Sequence, residues 1–128
     1  MILLDTCALL WWTLDPDKLS IAAARACNKI PINGGAISSI SVWEIGIKIR
    51  KGIIDIPIDI NEYVWRLKQL RGIEIIPVNE DIWVENISLD WDHRDPADRT
   101  IVATARLRNI PIITKDEIIK KFYPHIIW

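Results

Sequence analysis

The chain has 128 residues, half of them hydrophobic and 26% charged, with a formal net charge of −1. This is a folded, one-core composition rather than a disordered one, and it lacks the basic excess of a protein that holds nucleic acid by charge alone. No apolar run approaches the ~18 residues a membrane span needs, and Cys7 and Cys27 form no close-spaced pair, so neither a membrane anchor nor a disulfide or zinc framework is expected.

In chain order, Met1–Leu4 predicts a buried strand; it carries no basic segment and Asp5 ends it, unlike a signal peptide. Thr6–Leu14 predicts a helix, stopped by Asp15-Pro16. Ser20 is placed to cap a helix through Ile21–Ala26. Gly34-Gly35 predicts a turn and Ala36–Val42 a second strand. Trp43–Lys51 alternates like a strand, but the capping-box spacing from Ser41 to Glu44 argues for a helix start. Asp59–Leu70 is a cleaner helix ended by Gly72, and Ile73–Val78 a third strand. Asn79 or Asp81 starts a helix toward Leu89. Asp95 is a plausible N-cap with Pro96 as first helical residue and Thr100–Arg108 as body. Ile110–Thr114 predicts a fourth strand, Lys115–Phe122 a short helix, and His125–Trp128 an edge strand. Strands alternating with helices imply an α/β fold on a mostly parallel sheet of four to five strands, in a single domain over residues 1–128.

The acids carry the chemistry. In open parallel sheets, ligands bind beyond the carboxyl ends of the strands. Asp5 follows the first strand, Glu44 the second and Asp116 the fourth, while Asp95 and Asp98 open the helix before that fourth strand. Each alone reads more readily as a helix cap or a helix-start charge; their recurrence after successive strands is what capping alone does not require. Gathered carboxylates repel one another, and a hard divalent cation such as Mg²⁺ or Mn²⁺ relieves that repulsion while activating water. Most of the seven tryptophans are expected in the core.

The stretches Ile2-Leu3-Leu4-Asp5-Thr6, Ser41-Val42-Trp43-Glu44-Ile45, His93-Arg94-Asp95-Pro96-Ala97-Asp98-Arg99 running into Ile101–Ala105, and Ile112-Ile113-Thr114-Lys115-Asp116 together resemble the PIN-domain family, in particular the VapC-type toxins of toxin–antitoxin pairs. Ala97 stands where such relatives often carry an aromatic residue. The resemblance implies a three-layer α/β/α fold, a divalent-metal-dependent endoribonuclease leaving 5′-phosphate and 3′-hydroxyl ends, a cytoplasmic location, an antitoxin partner and a homodimer. It places Asp5, Glu44, Asp98 and Asp116 on the family's acidic quartet. Asp5 and Asp98 are then the expected metal ligands, with Glu44, Asp116 and less certainly Asp95 in support. Thr6 and Thr114 are candidate hydroxyls behind them. Lys48, Arg50, Lys51, Arg94, Arg99 and Lys115 are candidate RNA contacts, each equally readable as solvated surface. Two alternatives stay open: a PIN module that binds without cutting, and a receiver-like signalling domain, which also has an acidic pocket at strand ends but generally carries adjacent acids after its first strand.

Overall fold

The computed structural model describes all of residues 1–128. Five strands, β1 (Ile2–Leu4), β2 (Gly35–Ser38), β3 (Ile73–Ile76), β4 (Ile112–Ile113) and β5 (Ile126–Ile127), form one sheet in the order β3-β2-β1-β4-β5. Every neighbouring pair is parallel. Eight helices connect them: α1 (Thr6–Leu14), α2 (Ile21–Asn28), α3 (Ile30–Asn33), α4 (Ser39–Arg50), α5 (Ile60–Gln69), α6 (Glu80–Ser88), α7 (Pro96–Arg108) and α8 (Glu117–Phe122).

Alternation along the short strands explains the three layers. Successive side chains of a strand point to opposite faces, and a parallel sheet is covered on both. Leu3, Ala36 and Ile112 enter one cluster with Ile82 of α6, Ile101 and Val102 of α7 and Ile119 of α8. Their neighbours Leu4, Ile37 and Ile113 enter the other, with Ala8 and Leu9 of α1, Ala23 of α2 and Tyr63 and Leu67 of α5. The architecture is therefore α/β/α, as expected, with five strands and no antiparallel member.

Boundaries differ from the sequence reading in instructive places. The second strand stops at Ser38, not Val42, and α4 begins at Ser39. Its partner β3 ends at Ile76 because Pro77 has no N–H to continue the ladder. The cap of α4 is Ser38, whose hydroxyl accepts the Ile40 N–H, while Ser41 lies inside the helix. The turn before β2 uses Gly34, at φ +84°, and Gly35 already belongs to the strand. None of the tryptophans is fully buried, contrary to expectation: Trp43, Trp65 and Trp83 are exposed and the other four half-buried. Ile, Leu and Ala fill the thin layers around the sheet, which leave the indoles room only at the margins.

Candidate active site

The strand order reverses direction beside β1: the chain passes from β1 to β2 and β3 on one side, then returns to β4 and β5 on the other. Such a reversal opens a crevice at the carboxyl ends of the strands. Helices connecting parallel strands run back against them, so their N-termini collect along that same edge. A cavity of about 360 Å³ lies there, and Asp5, Glu44, Asp95, Asp98 and Asp116 all line it, with Thr6, Cys7, Trp11, Lys48 and Lys115. All four acids of the expected quartet thus share one cavity, together with Asp95.

Each carboxylate is held by local helix chemistry. Asp5 is the N-cap of α1 and takes the Ala8 N–H on Oδ1 at 2.7 Å. Asp116 caps α8, taking the Ile119 N–H at 2.9 Å. Asp95 caps α7, taking the Asp98 N–H at 2.9 Å. A cap occupies one carboxylate oxygen and leaves the second available, so capping and a role in the cavity coexist. Glu44 projects from α4 and stands 4.0 Å from the Lys48 ammonium one turn on. Asp98 Oδ2 lies 2.8 Å from His93 Nε2.

The hydroxyls expected behind the acids are buried. Thr6 Oγ1 is 2.9 Å from Ser41 Oγ, tying the first turn of α1 to α4. Thr114 Oγ1 accepts the Asp116 N–H at 3.0 Å.

Burial and crowding show in the acidities. Asp5 is pushed up to about 6, chiefly by burial, with the Thr114 hydroxyl and the Ala8 amide pulling it down and Asp98 and Asp116 raising it further. Burial also raises Asp98; the His93 hydrogen bond opposes this, and Asp95 and Asp116 add to it. Removing such like-charge stress is what a cation does. The five acids on the cavity wall offer hard oxygen donors, and Cys7 beside them is an exposed free thiol. No three Asp, Glu, His or Cys side chains are set closely enough to enclose an ion without help. A divalent cation at this wall would therefore be held by few carboxylates and would keep several of its waters.

The cations divide. Lys48 and Lys115 stand on the cavity wall, whereas Arg50, Lys51 and Arg94 are exposed outside it. Arg99 is a correction to the sequence reading. Its guanidinium donates to the carbonyls of Asn86, Leu89, Trp91 and His93 and to the Asn86 side chain, so it faces its own loop rather than a ligand. A planar five-donor fork can reach several carbonyls at once, and nothing in the spacing of the sequence announced this use.

Comparison with protein families matches residues 2–123 to the PIN domain. The chain belongs to the PIN domain family. The receiver-like alternative is thereby set aside. This PIN domain is 29% identical over 117 residues to Ribonuclease VapC22 of Mycobacterium tuberculosis strain H37Rv, covering 90% of this chain and 86% of that one. Among solved structures it resembles a toxin–antitoxin complex from Klebsiella pneumoniae, with a TM-score of 0.70, 22% identity, and coverage of 100% of this chain and 97% of that chain. It also resembles VapBC2 from Rickettsia felis, solved with a DNA fragment from the promoter of that pair, with a TM-score of 0.69, 18% identity and coverage of 99% and 96%. These structural likenesses establish that the PIN domain here shares their fold. No helix of it is long and apolar enough to cross a membrane.

Proposed function

We propose that this PIN domain, acting as one unit over residues 1–128, is a divalent-cation-dependent endoribonuclease and the toxin of a toxin–antitoxin pair. The observation that carries the reading is the convergence of Asp5, Glu44, Asp98 and Asp116, from four separated segments, on one cavity at the strand-order reversal. The ribonuclease relative and the toxin–antitoxin structures of the same fold support it.

In this reading Asp5 and Asp98 would hold Mg²⁺ or Mn²⁺, and Asp95 would add negative charge from the cap of α7. The cation, when bound, supplies water activation and stabilises charge on the phosphodiester. Glu44 and Asp116 would orient the attacking water, and one of the two would take its proton. Thr6 and Thr114 keep the acids in place through their buried hydroxyls. Lys48 and Lys115 hold the phosphate against an acidic wall, with Arg50, Lys51 and Arg94 offering contacts to flanking phosphates. An antitoxin restrains the enzyme, the active species is a homodimer, and the reducing cytoplasm suits its two free cysteines.

The test is cleavage of 5′-labelled RNA with Mg²⁺ or Mn²⁺, with excess EDTA, and by Asp98→Asn. Cutting that needs the cation, leaves 5′-phosphate ends and is lost in the variant is the expected result. Equal cutting in EDTA refutes the metal chemistry. A wild-type protein that retains RNA without cutting it supports the non-catalytic binding module instead.

A further inference from the structure

We propose that His93 is a positioning residue of this nuclease, acting on the cation through Asp98; the inference rests on the nuclease reading of the carboxylate cavity. His93 Nε2 lies 2.8 Å from Asp98 Oδ2. An ionised carboxylate oxygen only accepts, so the imidazole N–H donates. Asp98 is half-buried in the first turn of α7, where an aspartate has several open rotamers. The bond selects one of them and engages one oxygen, leaving the other for the cation or its water.

The imidazole itself packs against an aromatic ring. Its ring centroid lies 4.8 Å from that of Trp91, and Trp91 stacks on Phe122 at 4.5 Å with 4° between the planes. Phe122 ends α8, whose N-cap is Asp116. A chain of contacts thus joins Asp98 to Asp116 through His93, Trp91, Phe122 and one short helix. The backbone of the same loop is tied to α7, since Arg99 donates to the carbonyls of both Trp91 and His93. Groups that orient a ligand in this way typically contribute 10–100-fold to metal affinity or activity.

Two substitutions separate orientation from packing. His93→Phe keeps an aromatic ring against Trp91 and removes the donor; His93→Gln sacrifices the ring and keeps an N–H at similar reach. Mn²⁺ binding is measured by calorimetry on the full chain, alongside thermal melting and RNA cleavage. Positioning predicts that His93→Phe weakens Mn²⁺ binding about tenfold to a hundredfold, lowers kcat with KM for RNA unchanged, and melts within a few degrees of wild type. His93→Gln recovers most of the Mn²⁺ affinity. If His93→Phe melts far below wild type, His93→Leu set against His93→Gln gives the same contrast. The inference fails if a wild type that binds Mn²⁺ and cuts RNA is matched by His93→Phe, or if His93→Gln is the weaker binder of the two. A wild type that neither binds Mn²⁺ nor cuts RNA overturns the nuclease reading itself, and the role of His93 with it.

Discussion

Thr6 Oγ1 and Ser41 Oγ meet at 2.9 Å in the protein interior, 35 residues apart in the chain. The contact joins the helix that starts at Asp5 to the helix that carries Glu44, so it sets the separation of two cavity acids. Ser41→Ala leaves the Thr6 hydroxyl buried without this partner and is expected to cost about 1–3 kcal/mol. Replacing both, with Thr6→Val and Ser41→Ala, is expected to recover part of that stability, because no polar group is then stranded. Urea unfolding of the single and double variants measures the coupling, and strictly additive losses would contradict it.

Asp5 predicts a pH-dependent instability of the metal-free protein. Folding raises its pKa from 3.8 to about 6. Between those values the native chain binds more protons than the unfolded one, so stability falls as pH rises. The full penalty, on the order of 2–3 kcal/mol, is present above about pH 6 and absent below about pH 4. Asp5→Asn still caps α1. In EDTA it should therefore melt above wild type at pH 8 and level with it near pH 4. Saturating Mg²⁺ should close the gap at pH 8 by stabilising wild type alone. An Asn variant that melts no higher than wild type at pH 8 in EDTA contradicts the origin assigned to the shift.

Arg99 should behave as a structural residue. Arg99→Lys keeps the charge but not the planar fork, and strands the Trp91 and His93 carbonyls of the loop between α6 and α7. A loss of about 2–4 kcal/mol is expected by denaturant titration. Because Arg99 faces its own loop, the salt dependence of RNA binding should not change. A shallower salt slope at wild-type stability would return Arg99 to the RNA-facing set.

Lys48 and Lys115 should matter more for RNA than Arg50 and Lys51. Binding is best measured in an Asp98→Asn background, where substrate persists. Charge reversal of the two cavity lysines is expected to lower the log–log salt slope by about 1.4, roughly 0.7 for each phosphate contact on a single strand. Reversal of Arg50 and Lys51 should have a smaller effect, since neither lines the cavity. Equal effects from the two pairs would mean that the RNA path runs along the far end of α4 instead.

Much of this molecule can be read from local signals. Asp5, Asp59, Asn79, Asp95 and Asp116 each sit where a helix starts, and each accepts a backbone N–H there. Pro96 at the first helical position marks α7 just as clearly. Helix α4 was ambiguous because isoleucines alternate along it: Ile45 meets one face of the sheet and Ile40 the other, so apolar residues surround much of the helix. The second strand reads too long in the sequence because an apolar and serine run does not reveal where its neighbour stops pairing, and β3 stops at Ile76, opposite Ser38.

The alternation of strands and helices gave the α/β class, the acids recurring at helix starts nominated the carboxylates, and the family resemblance singled out the quartet, because such signals lie in the order of residues along the chain. The hydrogen bonds of Arg99 and His93, the marginal placement of the tryptophans, and the presence of Lys48 and Lys115 rather than Arg50 and Lys51 on the cavity wall depended on the folded chain. Those outcomes rest on which distant carbonyls, rings and carboxylates become neighbours, and such proximity exists only once the sheet has brought the ends of its strands together.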